Sequence, residues 1–161
     1  MKNIKVIVYL FIITILLNGC VSPNLDKEIS QAKLNKVPVL ITKLQNGYPN
    51  SANGVNLHIN FINLSNKTIK YLDLEVMAIN QVGDPIYGEI RRKKTRLVQC
   101  MGPVAKNKAW HSDFNDTWFE NVWYKSRRIV TLNVTNILII YMDGTIKIID
   151  KPSLISKMVV K

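Results

Sequence analysis

The sequence is short of the residues that carry most enzyme chemistry. Two cysteines and two histidines occur in 161 residues, and 11 acidic side chains stand against 22 basic ones. No HExxH, CxxC, GxSxG or glycine-rich phosphate loop is present, so zinc hydrolysis, dithiol redox chemistry, serine hydrolysis and nucleotide binding have no starting point. The acids are scattered singly, which excludes a paired-carboxylate glycosidase site. His111-Ser112-Asp113 contains the residue types of a triad. Neighbours on a strand point to opposite faces, however, and cannot relay a proton. His111, Asp113 and Asp116 are too loose a set to specify a metal. The expectation is a protein that is not an enzyme and carries no cofactor. Long helical periodicity is also missing after residue 20.

What is present begins at the N-terminus. Met1-Lys2-Asn3-Ile4-Lys5 is basic, and residues 6–17 are apolar except for Thr14. Twelve helical residues rise about 18 Å, short of a hydrocarbon core of about 30 Å, so the pattern reads as a secretory leader rather than a span. Leu17-Asn18-Gly19-Cys20 resembles the bacterial lipobox, with Asn18 where Ala or Ser is commoner. The resemblance implies cleavage between Gly19 and Cys20 and a diacylglycerol thioether on the Cys20 thiol. More than one acyl chain makes such an anchor stable. With Val21 rather than Asp after the cysteine, the resembling class sits in the outer membrane of diderm cells, otherwise in the cell membrane. Cys100 is then left without a disulfide partner. Its neighbours Leu97, Val98 and Met101 mark a buried strand, where a thiol acts as a small hydrophobe.

Removing residues 1–19 takes away two lysines and no acid, leaving 142 residues, 20 basic and 11 acidic, and a formal charge of +9. That length is one domain's worth, enough for a core without staples. The sharpest cluster is Arg91-Arg92-Lys93-Lys94-Thr95-Arg96. As a functional feature, Arg91, Arg92, Lys93, Lys94 and Arg96 form an anion-binding surface for phosphate-bearing envelope polymers, to which Lys106, Lys108, Lys125, Arg127 and Arg128 add if the fold gathers them. As a purely structural feature, the run is a solvated loop or a charged edge that discourages aggregation. Nucleic acid is not an expected partner, because the chain is exported and no recognition motif occurs. Trp110, Trp118, Phe119, Trp123 and Tyr124 are either core and its cover or a contact platform. An odd spacing puts Trp118 and Trp123 on opposite sides of a strand, leaving one of them as a candidate aromatic contact.

The rest of the chain alternates with period two between turn residues. Strands are expected over 37–44, 54–64, 68–80, 86–90, 96–101, 108–114, 129–142 and 145–150. Gly102-Pro103 closes the fifth, and Asp143-Gly144 is a two-residue hairpin turn. Val55, Leu57, Ile59 and Phe61 share one face, as do Leu72, Leu74, Val76 and Ala78, and the two strands read as a hairpin. Seven or eight such strands imply an all-β, immunoglobulin-like antiparallel sandwich. The organisation is a leader over 1–19, the lipidated cysteine and a flexible tether over 20–36, in which Leu25, Ile29 and Ala32 allow one or two weak amphipathic turns, the sandwich over 37–150 and a tail over 151–161.

Asn63-Leu64-Ser65-Asn66-Lys67-Thr68-Ile69-Lys70-Tyr71-Leu72, with Val76, Asn80 and Val82-Gly83-Asp84, resembles the FxLYD-like group of small bacterial immunoglobulin-type domains. This chain has Asn80 where the group has Asp. The resemblance implies a sandwich and an accessory or binding role, without any activity. The expected function is a lipid-anchored, non-enzymatic envelope module that binds a protein or an anionic polymer. The alternative is a structural accessory lipoprotein that stabilises an envelope complex through its sheet edge.

Overall fold

The computed structural model describes residues 23–47, 55–87, 92–112, 119–120 and 131–160. The chain divides into two units, Met1–Gln31 and Ala32–Lys161. Gly19, Cys20, Arg91, Trp118 and Trp123 lie outside the described residues. Among the described residues, no helix is long and apolar enough to cross a membrane.

Where a flexible tether is expected, Pro23–Leu34 forms a three-turn helix, α1. Proline suits the first helical turn, which needs no amide donor. Asp26 near the start and Lys33 near the end complement the helix dipole. The helix ends in a Schellman motif: Val37 N–H donates to the Ala32 carbonyl at 3.2 Å and Lys36 N–H to that of Lys33 at 3.0 Å. Lys36 takes the left-handed conformation, φ 54°, that glycine more often fills.

Among the described residues eight strands follow: β1 Val39–Asn46, β2 Val55–Asn63, β3 Ile69–Ile79, β4 Thr95–Val104, β5 Ala109–His111, β6 Phe119–Glu120, β7 Thr131–Tyr141 and β8 Ile146–Ile149. One antiparallel sheet has the order β1-β2-β5, with β6 also pairing β2 at Val55 and Asn56; the other has the order β4-β3-β7-β8. By strand order we label these the ABE and C′CFG sheets of an antiparallel β-sandwich. The expected strand over 86–90 is absent from the described part of that stretch. Pro85 makes only an isolated bridge to Ile79, and Ile86 N–H donates to the Ala78 carbonyl.

The alternation of β2 and β3 is as expected. Val55, Leu57, Ile59 and Phe61 are buried on one strand, and Leu72, Leu74, Val76 and Ala78 on the other. Their pairing is not. β2 pairs with β1, β5 and β6, and β3 pairs with β4 and β7, so the two strands face each other across the core.

The corner between them is built on Asn63, which is fully buried. Its Nδ2 donates to the carbonyls of Lys67 at 2.9 Å and Val104 at 2.8 Å, while Oδ1 accepts from Ser65 N–H at 3.0 Å and Ser65 Oγ at 2.7 Å. Its own N–H donates to the Lys108 carbonyl and its carbonyl accepts from Asn107 N–H. Every polar group of the residue is therefore satisfied, as burial requires. The network fastens the β2–β3 turn to the far end of β4 and sends the chain into the second sheet.

Two local expectations also change. β4 runs through Gly102-Pro103 to Val104. Residues 102 and 103 stand opposite Lys70 alone, which makes a bulge. A Cβ at Gly102 would run into the Ile69 carbonyl oxygen, so the close approach requires glycine. The β7–β8 loop has three residues rather than two. Gly144 N–H donates to the Tyr141 carbonyl and Tyr141 N–H to that of Thr145, with Gly144 at φ 81°, the type I turn plus bulge that follows a three-residue loop.

The C-terminal residues belong to the domain rather than forming a tail. After Asp150 the chain leaves the sheet into a short helix, α2, Pro152–Ile155. It then returns along β1, where Ile41 N–H donates to the Met158 carbonyl at 2.6 Å and Val160 N–H to that of Ile41 at 2.9 Å. Met158 and Ile155 are buried, as are the three consecutive residues Val39, Leu40 and Ile41. Burial of consecutive strand residues means cover on both faces of that half of β1.

Candidate interaction faces

The two sheets turn opposite characters to the outside. On the ABE sheet, Lys43, Gln45, His58, Asn60 and His111 sit on the outer face, and all are exposed or half-buried. On the C′CFG sheet the outer row is Met101–Tyr71–Ile140–Ile146, and the next is Gln99–Asp73–Leu138–Ile148. Leu97 is 63% exposed, Met101 57%, Ile146 62% and Ile148 65%. Apolar side chains aligned across four strands form a patch of the kind that marks interaction sites.

The acids on this face are held locally. Gln99 Nε2 donates to Asp73 Oδ1 at 2.9 Å, while Thr95 and Thr135 hydroxyls donate to the two carboxylate oxygens of Glu75 at 2.7 and 3.1 Å. They add polar structure without breaking the apolar row. This face was not singled out from sequence. The available signal was Ile137-Leu138-Ile139-Ile140, where alternation gives way to a run that is apolar on both faces.

The basic run does not act as one surface. Arg92, Lys93 and Lys94 are exposed ahead of β4, with Arg92 at φ 48°. Arg96 shares strand parity with the buried Val98 and Cys100, opposite Val76, and is only 7% exposed. Its guanidinium is thus on the core side, away from the three exposed neighbours. Lys106 and Lys108 are exposed beyond the other end of β4. Ten residues at about 3.3 Å each separate the two groups by roughly 30 Å, too far for a single small anion site. A different positive feature appears instead, a hollow of about 280 Å³ whose lining includes Lys33, Lys36 and Lys147 with Ser65 and Asn66. Residues so distant in sequence gave no linear signal.

Of the remaining chemical candidates, Ser112, Trp110 and Cys100 have structural roles. Ser112 N–H donates to the Ile59 carbonyl at 2.9 Å and its Oγ accepts from Ile59 N–H at 3.0 Å, which extends the β5 edge. His111 is exposed, and Asp113 and Asp116 lie outside the described residues. Among the described residues no group of three or more His, Cys, Asp or Glu side chains could hold a metal. Trp110 stacks on Phe61 with ring centroids 5.4 Å apart, and its Nε1 donates to the Met101 carbonyl at 2.9 Å. It is core cover that ties the ABE edge to β4. Cys100 is buried, and burial first, then the Asp73 charge, pushes its thiol up to about 12. A thiol so protonated is inert as a nucleophile.

The β3–β4 and β7–β8 loops are closed by side chains. Asn80 Oδ1 accepts from Val82 N–H at 3.0 Å and Asp84 N–H at 2.9 Å. That role needs only an oxygen acceptor, which an aspartate supplies equally well. Lys67 Nζ lies 2.7 Å from Asp143 Oδ2 and 5.7 Å from the Tyr141 ring centroid. Compared with known proteins, the chain matches no family model, no curated protein and no solved structure.

Proposed function

We propose that this chain is a lipid-anchored envelope protein that works as a non-enzymatic interaction module, docking a protein partner on the outer face of its C′CFG sheet. The observation that carries the reading is the exposure of Leu97, Met101, Ile146 and Ile148 on that one face, while the outer face of the other sheet carries Lys43, Gln45, His58, Asn60 and His111 beside half-buried Ile62. Burying such side chains contributes about 25 cal/mol per Å² of apolar area. A protein surface provides that burial; a phosphate-bearing polymer does not. Exposed lysines and Arg92 flank the sheet, so the partner patch is apolar with acidic surroundings.

Anchoring through Cys20 and destination in the outer membrane of a diderm cell, or otherwise the cell membrane, rest on the lipobox-like Leu17-Asn18-Gly19-Cys20. The corner Asn63 and the Asn80 loop support the FxLYD-like resemblance, and with it an accessory role. Binding of an anionic polymer is the second reading, supported by the Lys33, Lys36 and Lys147 hollow; it is distinguished by steep loss of binding with salt.

The test is a photo-crosslinking residue at position 148 in whole envelopes, with position 111 on the opposite sheet as control. A protein adduct from 148 and none from 111 is expected. The same adducts from both positions would overturn the proposal. A Cys20→Ser chain that still incorporated labelled palmitate would overturn the anchoring.

A further inference from the structure

At the margin of the sandwich where β1 and β7 come close, a cleft of about 910 Å³ opens. β8 pairs with β7 only from Ile140 back to Ile137, and its next register positions would lie against 131–136. The chain leaves at that point: Lys151 is the cap residue and Pro152 opens α2. Proline has no amide to donate to a ladder. The first half of β7 therefore keeps its β3 partner but, among the described residues, has no strand on its other side. The cleft lies there. It is lined by residues 131 to 135 without a gap, and by 44 to 46 of β1. Side chains alternate between faces, so a space that meets consecutive residues runs along the strand edge and its backbone.

The wall chemistry selects the ligand. No Lys, Arg, Asp or Glu lines the cleft among the described residues, in a chain with 33 charged side chains. Leu44, Leu132, Val134 and Val159 are half-buried along it, and Asn46 and Ser156 provide polar groups. An acyl chain would satisfy the apolar walls but leave backbone donors and acceptors unmet, at a cost of about 1–3 kcal/mol for each group buried unpaired. An extended peptide satisfies both, by strand addition to a free edge.

We infer that this cleft binds an uncharged, extended peptide of about five residues, which pairs with 131–135 of β7 and takes the place where β8 stops. Leu97, Met101, Ile146 and Ile148 do not line this cleft, so the failure of either proposal leaves the other standing.

The experiment is amide hydrogen exchange on the full chain in detergent, with and without a capped Val-Thr-Val-Thr-Val peptide. In the free chain, outward amides of 131–135 exchange fast beside those of 137–140. Saturating peptide slows them about tenfold, the effect of one hydrogen bond per amide. Ser156→Trp fills the cleft from an exposed position and abolishes the slowing with an unchanged melting temperature, whereas Ser153→Trp, at an exposed position outside the lining, retains it. Protection already present in the free chain would show that the cleft is covered by another segment or a second copy, and would overturn the inference. So would slowing by decanol equal to that by peptide, or peptide protection confined to other strands.

Discussion

Replacing Asn63 by alanine removes one small side chain and four hydrogen bonds at the place where the chain changes sheets. The Lys67 carbonyl keeps a second donor, Ser65 Oγ at 2.9 Å, but the Val104 carbonyl is left in a buried position. Counting about 1 kcal/mol for each of the three bonds lost to Lys67 and Ser65, and about 2 kcal/mol for the Val104 group left unpaired, gives a loss of about 5 kcal/mol. Domains of this size are stable by about 5–15 kcal/mol, so the variant should unfold at markedly lower urea concentration. Asn63→Asp separates hydrogen bonding from packing. The carboxylate keeps the acceptor but faces two carbonyl oxygens, which raises its folded-state pKa above the unfolded value of about 3.9. A raised pKa means its stability is fully present below the unfolded value and is lost as pH rises through the folded one. Asn63→Asp should therefore approach wild type near pH 3.5 and fall well below it at pH 7. Urea melts of the full chain in mild detergent, followed by tryptophan fluorescence, measure both. An Asn63→Ala loss under about 1 kcal/mol, or an Asn63→Asp deficit unchanged with pH, would refute the reasoning.

Cys100, with its thiol pushed up to about 12, should resist alkylation at pH 8 in the folded chain and react at once in urea; modification of the native protein would contradict its burial. Asp143 is held well below the usual carboxylate range by Lys67, then by the Thr145 side chain and amide. Its contribution to stability is therefore present above the unfolded carboxyl range and lost as pH falls through its lowered folded pKa. Carbon-detected titration should find it still ionised at pH 3, and a midpoint at the ordinary 3.8 would refute the contact. Gly102→Ala must displace the Ile69 carbonyl and should cost about 2–4 kcal/mol in a urea melt, against a smaller loss for Gly144→Asn, which meets no neighbour and pays only for the left-handed backbone that asparagine tolerates best. Neutralising Arg92, Lys93 and Lys94 together should change stability by less than about 0.5 kcal/mol, while Arg96→Gln should lower it by more than 1 kcal/mol; equal effects would contradict the inward placement of Arg96.

Strand positions and their buried faces were legible because period two is a local signal. The pairing of β2 and β3 was not. Two strands with one apolar face each can bury it side by side in one sheet or face to face across a core, and alternation is the same in both. The deciding information is the Asn63 amide, whose partner Val104 lies 41 residues away. Arg96 was legible in principle, since it shares parity with Val98 and Cys100, but five charges in six residues drew attention to composition over phase. The apolar outer face had its signal in the unbroken run over 137–140. Pro152 announced the end of β8, yet the return of the C-terminal residues along β1, and with it the far wall of the cleft, depends on contacts between the two ends of the domain.

The most direct measurement is the mass of the assembly that the chain forms when extracted from its own envelope in mild detergent, compared between wild type and an Ile146→Asp/Ile148→Asp chain. Both substitutions lie on exposed positions of the outer C′CFG face, so folding and membrane association should be retained. The account predicts that wild type runs as a complex with a second protein and that the double variant runs alone. A wild-type chain that runs alone, or a complex that survives both charges, would contradict it.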